Sequence, residues 1–191
     1  MVCRGPRPAG GWHAHGYTTK RLLVLDKRRL RVLVVHKQRW LERETGRTIH
    51  DRPGRDVPWS YYGLAVVLTA TWAWMTSPKG LHHVEWPWLD EGPSRRTAQR
   101  WMARLLVQAL AWQVAIRDVI VERLAPEPLE RVFPAGLPPP GTVARWRSSA
   151  AQACQLFRGL VLLNECAPLV SIPWPRLAVE AHRRFIDNRQ P

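Results

Sequence analysis

The chain has 191 residues, 46% of them hydrophobic, enough for one domain or two small ones with modest cores. Its 29 Lys and Arg against 15 Asp and Glu leave a formal charge of +14, a balance that favours a polyanionic partner, of which nucleic acid is the commonest. Three cysteines, Cys3, Cys154 and Cys166, have no short pairing and argue against a disulfide framework, while the uncharged run Gly63 to Met75 falls short of the ~18–20 residues of a membrane-spanning helix.

In chain order, residues 1–19 are rich in Gly and Pro and read as an irregular arm. The amino terminus has no apolar signal core after its arginines, so a cytoplasmic protein with no membrane partner is expected. Lys20 to Val35 alternates and is rich in branched residues. Leu22 to Leu25 and Leu30 to Val34 flank the polar Asp26-Lys27-Arg28, which predicts a β hairpin. Residues 36–58 are charged and turn-rich, with Gly46, Pro53, Gly54 and Pro58 as punctuation. Residues 1–60 hold 14 Lys or Arg against 5 Asp or Glu, so the positive charge is concentrated in the first third of the chain.

Ser60 is placed to cap a helix from about Tyr61 to Met75, apolar nearly all round and therefore buried. Leu81 to Trp86 admits a short helix limited by Pro87, and Gly92-Pro93 stops it. Ser94 then opens a helix expected to run unbroken to about Leu124. Ala98, Trp101, Leu105, Ala109, Trp112, Ala115, Ile116, Val119 and Ile120 form its apolar stripe. Six prolines between 125 and 141 predict a stiff connector. Thr142 can cap a helix from about Val143 to Cys166. Pro168, Pro173 and Pro175 are expected to break the chain before a last helix over Arg176 to Asp187. The fold class expected is therefore mainly α with a small N-terminal β hairpin (α+β) and a helix-turn-helix-like helical core. The organisation expected is a basic region 1–58, a helical domain 59–124, a connector 125–141 and a helical region 142–191.

The start of the long helix carries the chemistry. On a period of 3.6, Arg95, Arg96, Gln99 and Arg100 point away from the core stripe, and Arg and Gln suit bidentate contacts to purine edges. Thr97, and the free amides of the turn that Ser94 caps, can reach a phosphate. Arg104 follows one turn later. A basic first turn opposes the helix dipole, so these cations are unfavourable there without an anionic partner. Lys27, Arg28, Arg29 and Arg31 on the hairpin would hold a nucleic-acid backbone by charge. The competing reading of each cluster is a solvated basic face.

The segment Ser94-Arg95-Arg96-Thr97-Ala98-Gln99-Arg100-Trp101 resembles the recognition-helix entry of the helix-turn-helix regions of bacterial insertion-sequence transposases and their stand-alone zinc-ribbon relatives. Arg39 to Ile49 is similar to that family's second zinc knuckle, with Glu42 and Thr45 standing where its two cysteines would be. Cys3 stands at the first cysteine of the other knuckle and Pro6 at its partner, while His13-Ala14-His15-Gly16-Tyr17 resembles the entry to the family's hairpin. The resemblance implies DNA binding by a protein of mobile-element origin. A structural zinc needs four ligands, mostly thiolate or imidazole, and three of the four cysteines are replaced. The expectation is a degenerate ribbon without metal, Cys3, His13 and His15 being the residual ligand types.

Catalysis is not expected, and neither is a cofactor. The acidic residues after position 105 do not sit at the ends of apolar strands, where two-metal phosphoryl-transfer sites place their carboxylates. His82-His83 with Glu85 reads as a surface turn, since adjacent histidines diverge on a helix. Cys154 and Cys166 read as small core residues. Trp40, among basic residues, is the tryptophan best placed to stack on a base, against a competing role in packing on the hairpin. The function expected is non-catalytic binding of double-stranded DNA by a nucleoid-associated protein. The alternative is a helical interaction module in which the 98–120 stripe serves a partner helix or a homodimer.

Overall fold

The computed structural model describes residues 2–3, 7–51, 55–57, 59–77, 81, 84–123 and 150–187. Among these are four strands and five helices, an α+β arrangement that is mainly helical. Two long strands, β2 (Trp12–Asp26) and β3 (Arg29–Glu42), pair antiparallel through a two-residue turn. Lys27 takes φ 56° in that turn, the left-handed region a tight hairpin reversal demands. The hairpin is far longer than the alternation around it predicts. Residues 12–19, read as an irregular arm, form the first half of β2, and residues 36–42 extend β3. Neither stretch carries a continuous apolar alternation; both are held by the ladder itself. A short β1 (Val2–Cys3) pairs parallel with β3 at His36 and Lys37, and β4 (Thr48–His50) pairs antiparallel with its end.

Alternation buries one face of the hairpin. Leu22 and Val35 lie on it and are fully buried. The same face carries Lys20 and Lys37, whose ammonium groups meet the buried carboxylate of Asp56 at 2.5 and 2.9 Å. Lys20 also donates to the Val57 carbonyl at 2.8 Å. This cluster ties segment 55–57 across the sheet. The edge of β2 is covered by residues 61–63: the Leu23 N–H donates to the Tyr61 carbonyl and the Gly63 N–H to the Leu23 carbonyl, both at 2.7 Å.

Helix α1 (Leu64–Thr76) starts at Gly63, three residues later than the sequence suggests, because Ser60 is used elsewhere. Its hydroxyl accepts the Tyr62 N–H at 2.9 Å and closes a local turn. Only Thr76 of α1 is exposed. The expected unbroken helix over 94–124 is instead two, α2 (Arg95–Val107) and α3 (Ala109–Val121), separated at Gln108 (φ −108°, ψ 8°). No Gly or Pro marks the break. Its physical cause is a change of partner: Trp101, on α2, packs on Tyr62 before α1, whereas Trp112, on α3, stacks on His182 and Phe185 of the last helix. A straight rod could not serve both. The 98–120 stripe is therefore consumed by the chain's own core and is not a free partner surface.

Helix α4 (Ala150–Leu169) runs through Pro168 rather than stopping before it. The proline lies in the last turn. Ser171 turns left-handed (φ 54°), and the Ile172 and Ser171 N–H groups return to the Ala167 and Pro168 carbonyls at 3.1 Å, which closes the helix. Helix α5 (Trp174–Asp187) begins two residues early and carries Pro175 in its first turn, where the missing N–H costs nothing. Gly159 lets α4 approach α3, since a Cβ there would lie 3.2 Å from Ile116 Cδ1. The connector at 125–141, the Thr142 cap, the helix end at Leu124, His82-His83 and the punctuation at Pro53, Gly54 and Pro58 lie outside the described residues.

Candidate nucleic-acid interface

The start of α2 is built by the segment before it. Residues 84–94 are non-helical, and Trp86 and Trp88 stack at 5.6 Å with their planes 1° apart. Gly92 packs directly on the Trp86 indole; a Cβ there would lie 2.0 Å from its Cδ1. Ser94 then caps α2. Its hydroxyl accepts the Thr97 N–H at 3.3 Å and lies 2.9 Å from the Thr97 hydroxyl. The Thr97 hydroxyl, expected to reach a phosphate, thus already engages the Ser94 cap.

From that cap the helix turns its two faces apart. Ala98, Trp101, Met102, Leu105 and Leu106 are buried. Arg95, Arg96, Gln99, Arg100 and Arg104 are exposed, as periodicity requires. Among the described residues no acidic side chain pairs with Arg96 or Arg100, and the first turn of α2 holds no acid. Arg104 is drawn aside: its guanidinium lies 5.3 Å from the centroid of the Trp59 ring, a cation–π contact that the sequence does not signal.

The hairpin tip is tied to the same approach segment. The Leu89 N–H donates to the Arg28 carbonyl at 2.8 Å, and the Leu30 N–H to the Asp90 carboxylate at 2.5 Å. Leu89 is five positions before Ser94, so the residue that holds the tip stands at most about 18 Å from the helix start. That is about half of the ~34 Å turn of a duplex. Lys27, Arg28 and Arg29 are exposed at this tip. Arg31 differs. It pairs with Asp26 at 3.0 Å, diagonally across the ladder, so its charge is already answered within the fold.

The other candidates resolve differently. Trp40 is half-buried and donates its indole N–H to Asp51 at 2.8 Å, which fits packing on the hairpin better than open stacking. Thr45 donates to the Glu42 carboxylate, and Gly46 (φ 69°) completes the tight turn from β3 to β4. A hydroxyl–carboxylate bond therefore closes the turn at these two positions. Among the described residues no three His, Cys, Asp or Glu side chains come together as a metal site. Cys166 is buried, and burial, with Glu165 adding to it, pushes its thiol above the ordinary range, away from nucleophilic chemistry. Cys154 is half-buried.

One surface feature was not legible in the chain. Leu110, Val114 and Val121 leave an exposed apolar line along α3, continued by Val107. No helix among the described residues is long and apolar enough to cross a membrane. Comparison with protein-family models, with curated proteins and with solved structures finds no match to this chain.

Proposed function

We propose that this chain is a non-catalytic, nucleoid-associated binder of double-stranded DNA, of the kind found in the DNA-binding regions of insertion-sequence transposases. It reads the duplex through the start of α2. The observation that carries this reading is the exposed face of Arg96, Gln99 and Arg100, unopposed by acids among the described residues, on a helix whose other side is anchored in the core. Arg and Gln present paired donors that match purine edges in the major groove, and Lys27, Arg28 and Arg29 at the hairpin tip supply backbone charge. Arg31 contributes less because Asp26 holds it.

The test is fluorescence anisotropy on a pool of duplexes over a salt series. The affinity should fall steeply with salt, with a log–log slope of about −0.9 per phosphate engaged. Arg96→Ala and Arg100→Ala should each cost about 1–3 kcal/mol on preferred sequences and flatten the preference. If the double variant binds every duplex as the parent does, α2 does not read DNA.

The apolar line of Leu110, Val114 and Val121 favours a second reading, a mobile-element remnant that acts as a helical interaction module. Its occupant would be a second copy of the chain. Light scattering with and without duplex separates the two: a dimer that ignores DNA supports this reading, and a monomer that binds DNA removes it.

A further inference from the structure

A cleft of about 460 Å³ opens between the hairpin, the first turn of α1 and the outer face of α5, and no residue of α2 lines it. Its size falls within the roughly 300–1,000 Å³ of small-molecule sites. Three arginines line it, all exposed: Arg55 before α1, and Arg176 and Arg183 two turns apart on α5. Glu180 is the one acid among its described lining residues, and its carboxylate is already held at 2.6 Å by Arg123, in the turn that follows α3. Arg176 approaches Glu180 only at 3.7 Å and is 76% exposed, so that contact leaves its donors open. Among the described residues Arg55 and Arg183 have no acidic partner.

Three arginines around a cavity whose one lining carboxylate is shared with Arg123 leave an excess of positive charge that a further anion would offset. Guanidinium groups match phosphate oxygens in paired geometry. The remaining wall is apolar, from Val24, Leu25, Pro175 and Val179. It leaves room for an organic body beside the anionic group. The positive end of α1, which has no acid in its first turn, adds to the same potential.

We infer that this cleft binds a phosphate group, through Arg55, Arg176 and Arg183, and that the group is carried either by a small phosphorylated molecule with an apolar body or by the backbone of bound DNA. The inference does not rest on the reading of α2. Calorimetry with inorganic phosphate and with phenyl phosphate, alongside anisotropy with duplex DNA, tests it on the full chain. For a small ligand, phenyl phosphate should bind more tightly than inorganic phosphate because it uses the apolar wall. Arg176→Ala and Arg183→Ala should each weaken phenyl phosphate roughly tenfold or more, as expected for a lost charged hydrogen bond. Ala65→Glu places a carboxylate in the cleft at a helix start that tolerates one, so it should abolish binding while the fold stays intact. Arg96→Ala and Arg100→Ala should leave phenyl phosphate affinity unchanged, which separates this site from α2. If the three cleft variants weaken duplex binding instead, the phosphate is that of DNA. If phenyl phosphate does not bind and the cleft variants leave duplex affinity unchanged, the inference is overturned.

Discussion

The middle and the tip of one hairpin use the same kind of residue in opposite ways. Midway along it, Lys20 and Lys37 are only about 15% exposed, and both are spent on the buried Asp56. At the turn, Lys27, Arg28 and Arg29 are exposed. In the sequence all five count equally towards the net charge. The structure divides them into cations that hold the chain together and cations available to a partner. The difference lies in what packs over each face. Segment 55–57 covers the Lys20 and Lys37 face and its carboxylate pairs with both ammonium groups, whereas the carboxylate that the 89–90 loop brings to the tip, Asp90, accepts a backbone N–H, and the side chains of Lys27, Arg28 and Arg29 stay outside. A basic composition therefore states how much charge exists, and only burial and pairing state how much is free.

The sharpest way to break that contrast is to remove Asp56. Asp56→Ala leaves two largely buried ammonium groups without their shared partner, a change that typically costs ~3–5 kcal/mol. The urea midpoint should fall by the corresponding amount with little change in slope. A loss below about 0.5 kcal/mol would mean that the lysines re-solvate freely and that the cluster is not structural. DNA affinity, measured on the fraction that remains folded, should be unaffected, because both lysines are largely buried and lie away from the tip cations.

The next effect concerns how the helix start is aimed. Gly92→Ala puts a methyl group where the Trp86 indole lies, 2.0 Å from Cδ1. The Trp86–Trp88 stack, or the entry to α2, must move. Overpacking of this kind costs ~1–3 kcal/mol. Duplex affinity should drop even though position 92 carries no charge. A variant that is both as stable and as tight as the parent would show that the stack does not position α2.

Much of this was legible from residue pattern, and the rest was not for identifiable reasons. The hairpin turn at Lys27-Arg28, the burial of α1 and the outward face of Arg96, Gln99 and Arg100 follow from periods of 2 and 3.6, which are local properties. The break at Gln108 was invisible because its cause is tertiary: Trp101 and Trp112 serve different partners, and nothing in the residues between them signals a bend. The start of α1 moved because Ser60 had a nearer amide to satisfy at Tyr62. Helix α4 outlasted Pro168 because the closing turn at Ser171 satisfies its last carbonyls. The roles of Lys20, Lys37, Arg104 and Arg183 depend on groups from other parts of the chain, so spacing along the sequence carried no signal for them.

The smallest effect separates neighbours on one strand. Arg31 and Arg29 both lie on β3, two residues apart, and both are exposed. Arg31 alone is paired with a carboxylate, at 3.0 Å from Asp26. Exposed pairs of this kind are worth ~0–1 kcal/mol, so Arg31→Ala should lower stability by no more than that. Its effect on duplex binding should be smaller than that of Arg29→Ala, which removes an unanswered charge and should reduce the salt slope by roughly one phosphate contact. Asp26→Asn completes the comparison. It frees Arg31 without removing it, and duplex affinity at low salt should rise, with the gain vanishing as salt is added. If Arg29→Ala and Arg31→Ala weaken binding equally and Asp26→Asn changes nothing, the carboxylate does not hold Arg31 in solution. The division of the hairpin's cations by pairing would then fail at its tip.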